Sequence, residues 1–409
     1  MQKKGVMFPL LDGILRAMDE IDNCRASLDD ILDNKHLIIP EMRRTAAHWL
    51  FSIYRYRLDI EHYIRVFARK GTIKNALFQL SLASLAHCAF QNSIAREKSV
   101  NAFVEYAKVN IGLSEGRFLN ALLRKFCREE VVFSPRLTKW CRKKWLENYG
   151  DDFINQAMEI LKTEAEPVFR MREKFSAAGL DAELFETEIL TRFKFYRTKS
   201  LDKCINSECF KKGGIYIQDT ATGVPVEMAA KYINFTNGKF IDVCGAPGGK
   251  AIMFHDLFPE WEITIADVSK KRQNRTLDNL KRCRIRSKLR CCNAASCEFT
   301  EKYDVVLADV PCSNSGVFRK RPDVLFRLND AEVAEMVKIQ RSILENIFPA
   351  VGAGGLLVYS TCSIEPEEDS EQIAAFLAAH PGFVLLEEKL TLPNTEHDGS
   401  YCACMRRKA

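Results

Sequence analysis

The chain has 409 residues, of which 47% are hydrophobic and 28% are charged, and its formal net charge is +6. This length predicts two or three domains with ample cores, and the composition is that of an ordinary soluble protein. Because no apolar run approaches the roughly 20 residues that a membrane helix needs, we expect no membrane partner.

The 15 cysteines are irregularly spaced and include no C-x-x-C pair. This pattern favours a reducing, cytoplasmic environment over a disulfide framework, and it gives little support to a structural zinc site. We therefore predict a cytoplasmic protein without a metal. Cys402 and Cys404 are two residues apart, which places both on one face of a strand.

The first third of the chain predicts an all-helical domain. Apolar residues recur at helical spacing in Leu28–Leu32, Ala46–Phe51 and Phe78–Leu85, and Gly and Pro are scarce. We predict a helical bundle over residues 1–134. The boundary falls at Ser134-Pro135, because proline disfavours a helix that runs through the residue before it.

Residues 135–215 predict a small α+β connector. The segment from Trp140 to Leu161 favours a helix that is interrupted at Tyr149-Gly150. Two short strands are predicted after it, at Val168–Met171 and Phe193–Tyr196.

Residues 216–409 alternate between strand and helix patterns. The candidate strands are Phe240–Val243, Glu262–Asp267, Leu289–Cys292, Asp304–Ala308, Gly355–Tyr359 and Phe383–Leu386. Helices fit between them, for example Lys250–Phe258 and Asp330–Phe348. Such alternation predicts a doubly wound α/β domain with a mostly parallel sheet.

Two of these strands run into a cysteine, in Asp309–Ser313 and in Tyr359–Ser363. In an open α/β sheet, ligands bind at the carboxyl ends of the strands. A free cysteine is often only a small buried hydrophobe. Cys312 and Cys362, however, are flanked by Ser, Thr, Asp and Pro, so we interpret them as groups for covalent chemistry.

A loop rich in small residues follows the first strand of this domain, from Asp242 to Lys250. Small residues let the backbone approach a ligand closely. The loop is not a phosphate-binding Walker A motif, because three residues rather than four separate Gly245 from Gly249 and because Ala251 replaces the required Ser or Thr. Asp267 ends the next strand, where it suits a ribose. Together these features favour a nucleoside-containing cofactor.

The stretch from Ser269 to Arg290 is strongly basic. It contains ten basic residues and one acid, Asp278, the basic ones being Lys270, Lys271, Arg272, Arg275, Lys281, Arg282, Arg284, Arg286, Lys288 and Arg290. A charge run is usually a solvated helix face. An excess of one sign this large instead favours a polyanionic partner such as RNA.

Taken in order, these segments resemble the RNA cytosine-C5 methyltransferases of the Sun (RsmB) type. That family carries D-x-C-A-A-P-G-G-K, an acid after the second strand, D-A-P-C-S and T-C-S. The matching segments here are Asp242–Lys250, Asp267, Asp309–Ser313, Thr361–Ser363, and, more loosely, Gln218-Asp219 and Asp398–Tyr401. Glu97–Val104 and Phe118–Arg124 are similar to the NusB-like RNA-binding domain of the ribosomal branch.

The resemblance implies an N-terminal all-α NusB-like bundle, a small connector and a C-terminal Rossmann-like class I methyltransferase domain. It implies S-adenosylmethionine as cofactor and RNA as partner, most simply 16S ribosomal RNA of the small subunit. Separately, we expect the protein to be a monomer. The residues that it assigns to the cofactor are Cys244, Gly245, Ala246, Pro247, Gly248, Gly249, Lys250, Asp267, Asn293 and Asp309. Asn293 stands where the family has an acid that contacts the adenine amine, and its carbonyl can accept the same hydrogen bond.

The resemblance also implies a covalent mechanism. Cys362 is the nucleophile that adds to C6 of the base, and Cys312 assists release of the product. Asp309 holds the Watson–Crick edge of the base, and Lys250 is a candidate neighbour for the thiolate. Two alternatives stay open: the same chemistry on transfer RNA, and a non-catalytic RNA-binding relative, against which the intact cysteines and Asp309 argue.

Overall fold

The computed structural model describes residues 4–23, 26–34, 36–69, 71–91 and 95–409. The helices are α1 (Lys4–Asp22), α2 (Leu28–Asp33), α3 (Arg43–Ala68), α4 (Asn75–Phe90), α5 (Arg96–Asn110), α6 (Leu113–Arg128), α7 (Lys139–Lys162), α8 (Leu201–Asn206), α9 (Glu208–Lys211), α10 (Val224–Ala230), α11 (Gly249–Leu257), α12 (Lys270–Cys283), α13 (Val324–Arg327), α14 (Asp330–Ile347) and α15 (Ser370–Ala379). The strands are β1 (Val168–Met171), β2 (Glu183–Phe185), β3 (Lys194–Arg197), β4 (Ile215–Ile217), β5 (Lys239–Val243), β6 (Glu262–Asp267), β7 (Lys288–Cys291), β8 (Tyr303–Asp309), β9 (Val351–Thr361), β10 (Phe383–Thr391) and β11 (Ser400–Arg407).

These elements form two compact units. One comprises Met1–Glu164 with Phe318–Leu328, and the other comprises Ala165–Val317 with Asn329–Ala409. The predicted division at residues 134 and 215 stays a prediction.

The first unit is helical, as predicted. Helix α3 buries Trp49, Ile53, Ile60 and Ile64 completely, and their spacing of four and seven residues puts them on one face. The predicted interruption of α7 is confirmed at Gly150, whose φ of 76° lies in the left-handed region that favours glycine.

The second unit begins with a small antiparallel sheet, whose strand order is β2-β3-β1-β4. Strand β1 matches its prediction residue for residue, and β3 is displaced by one residue. Two arginines at this sheet reach the same carboxylate of α11: Arg170 donates to Asp256 at 2.5 Å, and Nε of Arg172 donates to it at 2.8 Å.

The main sheet has seven strands in the order β10-β11-β9-β8-β5-β6-β7. The pairs β9–β8, β8–β5, β5–β6 and β6–β7 are parallel, whereas β11 pairs antiparallel with both β9 and β10. The predicted mostly parallel α/β fold is therefore confirmed, with an antiparallel extension at one edge.

Side chains alternate between the two faces of this sheet, and each face carries its own core. Phe240, Cys402 and Cys404 belong to one buried cluster, and Ile241 and Ala403 belong to the other. The expectation that Cys402 and Cys404 share a face is confirmed. The parallel strands bring the loops after β5, β6, β8 and β9 to one edge.

Across the described ranges, every helix is too short or too polar to cross a membrane. Nor do those ranges contain a group of three or more His, Cys, Asp or Glu side chains that could hold a metal ion.

Candidate active site

The loop between β5 and α11 folds tightly. Cys244 and Gly248 have φ values of 66° and 96°, and the N–H of Gly248 donates to the carbonyl of Gly245 at 2.7 Å. A Cβ at position 245 would lie 2.4 Å from Cγ of the buried Asp242. This close approach gives a physical reason for glycine at a position where the resembled family usually has alanine.

Asp267, at the end of β6, is tied to this loop. The residue is 1% exposed; its Oδ2 accepts the N–H of Ala246 at 3.2 Å, and its Oδ1 accepts the N–H of Ser269 at 2.7 Å. Arg272 of α12 pairs with the same carboxylate at 3.0 Å. The carboxylate of Asp267 thus lies beside the glycine-rich loop, and its role toward a ribose stays a prediction.

Asn293 follows β7 at the same edge. The N–H of the preceding residue, Cys292, donates to the carbonyl of Asp267 at 3.1 Å. The exposed Asn293 side chain accepts the N–H of Ala295 at 3.0 Å, which leaves one lone pair of its carbonyl oxygen for another donor. The side-chain-free backbone at Gly245, Gly248 and Gly249, the carboxylate of Asp267 and the carbonyl of Asn293 together suit a nucleoside cofactor.

Lys250 and Asp309 form an ion pair at the centre of the site. Nζ of Lys250 lies 2.6 Å from Oδ2 of Asp309, and the hydroxyl of Ser360 donates to Oδ1 at 3.3 Å. Burial lowers the pKa of Lys250, but the charges of Asp309 and Asp242 outweigh burial, so that the pKa is raised overall. Lys250 therefore stays protonated. Burial, reinforced by Asp309, raises the pKa of Asp242 well above its ordinary value.

The two cysteines are brought into contact. Sγ of Cys312 lies 3.3 Å from Sγ of Cys362, which in turn lies 3.1 Å from Oδ1 of Asn314. The hydrogen bond with Cys362, together with burial, raises the pKa of Cys312 well above its ordinary value, so this thiol keeps its proton at neutral pH. Lys250 is close enough to Cys362 for their charges to interact.

A third cysteine at the site is not a nucleophile candidate. Burial, with contributions from Asp267 and Asp309, raises the pKa of Cys244 to about 12. Because the thiolate rather than the thiol is nucleophilic, this side chain is inert at neutral pH.

Sequence reasoning missed two residues beside the thiols. Asn314 also donates from its Nδ2 to the carbonyl of Cys312 at 2.9 Å. Glu368 is fully buried, and its carboxylate accepts hydrogen bonds from Ser313 and Ser363, the residues that follow the two cysteines. The one local signal for Glu368 is the acidic run Glu365–Asp369 soon after Thr361–Ser363, which local patterns alone assign to a solvated loop.

The basic stretch is only partly available to a partner. Arg282 turns inward, where its guanidinium donates to the carbonyls of Phe210 at 3.0 Å and Ile215 at 2.8 Å. Lys288 pairs with acidic neighbours, at 3.5 Å from Glu262, but its side chain stays exposed. The exposed basic side chains that remain include Lys270, Lys281, Arg284 and Arg286.

Part of the chain is similar to proteins of a known family. The family model described as 16S rRNA methyltransferase RsmB/F matches residues 231–403. Ribosomal RNA small subunit methyltransferase B of Citrobacter koseri is 38% identical over 180 residues, 43% of this chain and 41% of that protein. The protein of the same name from Salmonella arizonae is 34% identical over 212 residues, 49% of this chain and 48% of that protein. The chain thus spans less than half the length of these curated relatives.

Solved structures show the same fold. The crystal structure of PH0851 superposes with a TM-score of 0.74 at 20% identity and covers 98% of both chains. NSun6 from Pyrococcus horikoshii, solved with SFG, has a TM-score of 0.57 at 18% identity, covering 66% of this chain and 98% of that one.

The sheet and its glycine-rich loop therefore have the α/β methyltransferase fold. S-adenosylmethionine is the cofactor that the match to a methyltransferase family supports. More narrowly, residues 231–403 match the model of the 16S rRNA methyltransferase RsmB/F family. The resemblance drawn from the sequence motifs is confirmed.

Proposed function

We propose that the protein transfers a methyl group from S-adenosylmethionine to C5 of a cytosine in RNA through a covalent adduct with Cys362. The observation that carries the proposal is the contact between the thiols of Cys312 and Cys362, 3.3 Å apart at the ends of two neighbouring parallel strands. If the two thiols only filled space in the core, neither their contact nor the neighbouring Lys250–Asp309 ion pair would be expected.

The chemistry requires a nucleophile because C5 of cytosine is itself a poor one. The thiolate of Cys362 forms a bond to C6, which makes C5 enamine-like and able to accept the methyl group that S-adenosylmethionine supplies when bound. A base then removes the C5 proton, and the electron pair of that C–H bond expels the thiolate as the Sγ–C6 bond breaks. Cys312 assists this release.

Asp309 and Lys250 act on the base rather than on the methyl group. Asp309 holds the Watson–Crick edge of the cytosine as C6 is attacked, while protonated Lys250 keeps its carboxylate in place at 2.6 Å. The target base must leave any stack to reach these groups. Gly245, Gly248, Gly249, Asp267 and Asn293 hold the cofactor.

The substrate that the relatives favour is small-subunit ribosomal RNA, since the curated proteins similar to this chain carry that substrate in their names. The helical unit and the basic stretch supply further affinity for RNA. The same chemistry on transfer RNA stays an alternative. Cytoplasmic location, a monomeric state and the absence of a metal stay predictions from the sequence.

The deciding experiment is bisulfite sequencing of ribosomal and transfer RNA from cells with and without this protein. We expect one or a few cytosines of small-subunit ribosomal RNA to resist bisulfite conversion in cells that contain the protein and to be converted in cells that lack it. Loss of a transfer RNA site alone would replace the proposed substrate. No change in any RNA, together with no methyl transfer by the purified protein, would reject the proposed activity.

A further inference from the structure

A single buried carboxylate joins the two cysteine loops. Glu368 has no exposed surface; its Oε2 accepts the N–H of Ser313 at 2.9 Å, and its Oε1 accepts the hydroxyl of Ser363 at 2.8 Å. Ser313 directly follows Cys312, and Ser363 directly follows Cys362. One side chain therefore fixes the backbone next to each thiol.

Glu368 is itself held rigidly. Nε2 of Gln340, on α14, donates to its Oε2 at 2.8 Å and to the carbonyl of Pro311 at 3.0 Å. The hydroxyl of Tyr359, on β9, donates to its backbone carbonyl at 2.7 Å. The carboxylate is thus anchored to both neighbouring elements and cannot follow a shift of either cysteine loop without losing bonds.

The serine hydroxyls complete the connection. Oγ of Ser363 lies 3.3 Å from Oγ of Ser313 and 3.1 Å from Oγ of Ser315. It also accepts the N–H of Glu365 at 2.9 Å. Because the Ser363 oxygen accepts a backbone N–H, its hydroxyl hydrogen is left to donate to Glu368. An ionised carboxylate has no hydrogen to donate, so it can act only as the acceptor.

Glu368 also acts on the Cys312 thiol through its charge. Burial raises the pKa of Glu368, and hydrogen bonds from Ser313, Ser363 and Gln340 partly oppose that effect. In its ionised form the carboxylate adds to the raised pKa of Cys312, after the larger effects of Cys362 and burial.

We infer that Glu368 is a positioning residue that sets the separation of the Cys312 and Cys362 thiols by bonding the residue that follows each of them. The consequence for methyl transfer rests on the proposed function, whereas the thiol separation does not. A merely structural role would lower stability without changing how the two thiols react with each other.

The first test measures thiol proximity without RNA or cofactor. Diamide oxidises the two thiols to a disulfide, taking up two electrons and two protons to become a hydrazine, and mass spectrometry of unreduced peptides counts the Cys312–Cys362 bond. Cys292 and Cys297, whose Sγ atoms lie 3.0 Å apart, bond to none of these residues and give an internal control in the same sample. The Gln372→Ala variant is a matched control, because Gln372 is also buried but donates to Val337 at 3.0 Å instead.

We expect Glu368→Ala to form the Cys312–Cys362 bond more slowly by about tenfold or more, since small misplacements of reacting groups cost factors of this order. Glu368→Gln, which keeps one acceptor oxygen, should lie between Glu368→Ala and the wild type, and Gln372→Ala should match the wild type. Oxidation of Glu368→Ala at the wild-type rate would overturn the inference. If Glu368→Ala fails to fold, as shown by a changed Cys292–Cys297 rate, Glu368→Gln decides by the same criterion.

The second test uses methyl transfer to RNA. Glu368→Gln should lower kcat while leaving the KM for RNA and for S-adenosylmethionine near their wild-type values, because neither ligand contacts a buried carboxylate. An unchanged kcat would overturn the inference for catalysis. A wild-type protein that links its thiols readily but methylates no RNA would reject the proposed function and leave the positioning role standing.

Discussion

The Lys250 ammonium lies 2.6 Å from the Asp309 carboxylate, so that the first turn of α11 is joined to the end of β8. Asp242 lies close enough for its charge to act on both, and it is fully buried. Lys250 therefore pairs with Asp309, and its charge partly opposes the raised pKa of Asp242 beside it.

From this arrangement we predict that Lys250→Met and Asp309→Asn each lower the thermal midpoint and abolish methyl transfer. The ion pair is partly buried, so removing one partner leaves the other charge poorly compensated, whereas removing both is less harmful. The double variant Lys250→Met/Asp309→Asn should therefore regain much of the lost stability while staying inactive. Additive losses of stability in the double variant would contradict the coupling.

The arrangement of strands could be predicted largely from local pattern. Strand β6 matches its sequence prediction residue for residue, and the polar segments after β8 and β9 identify Cys312 and Cys362 from the sequence alone. Continuous apolar runs that end in polar residues carry this information because both faces of a parallel strand are buried.

What could not be predicted depends on contacts between distant segments. Glu368 looks like one of several acids in a loop, and only the folded chain shows that it meets Ser313, 55 residues earlier. Arg282 belongs to a basic run by sequence, yet its guanidinium lies 4.1 Å over the ring of Phe210. Phe318–Leu328 groups with the helical unit although the residues on both sides of it belong to the other unit.

For the two cysteines we predict opposite behaviour. Cys362→Ala should lose both methyl transfer and the covalent adduct, because no thiolate remains to attack C6. Cys312→Ala should still attack and methylate, then accumulate as a protein–RNA complex, because release of the adduct needs the second thiol. Denaturing gel electrophoresis of each variant with RNA and S-adenosylmethionine distinguishes the two.

Cys404→Ala is a suitable control, since Cys404 is buried on the sheet and lies outside the site. It should form and release the adduct like the wild type. If the adduct instead accumulates in Cys362→Ala, Cys312 is the nucleophile and the two roles are reversed. If no variant forms an adduct, both thiols have only a structural role.

At the cofactor site, Asn293→Asp should strengthen binding of S-adenosylmethionine or leave it unchanged. A carboxylate accepts the adenine amine with charge assistance, which a carboxamide lacks. The change also keeps an oxygen for the N–H of Ala295, now 3.0 Å away, so the turn should survive. Titration calorimetry measures the effect; a large loss of affinity would show that Asn293 does not meet the adenine.

For RNA binding, the basic stretch should act through its exposed members. Replacing Arg284, Arg286 and Lys288 with Gln should weaken RNA binding and flatten its dependence on salt, because fewer counterions are released. The matched control is replacement of three exposed lysines outside the stretch, Lys302, Lys338 and Lys408. Equal salt slopes for the two triple variants and the wild type would show that the stretch is a solvated surface.

The packing of the small sheet against α11 should depend on the carboxylate of Asp256. Asp256→Ala leaves the guanidinium of Arg170, whose side chain is 1% exposed, without the carboxylate that it now meets at 2.5 Å. Breaking a buried pair in this way costs about 3–5 kcal/mol, so the urea midpoint should fall clearly. Adding Arg170→Met to Asp256→Ala should restore part of that stability, since the more deeply buried of the two arginine charges is then gone and only Arg172 lacks its carboxylate. Asp181→Ala, which removes an exposed partner of Lys203, should leave the midpoint unchanged. An equal midpoint for Asp256→Ala and Asp181→Ala would mean that Arg170 does not need its carboxylate.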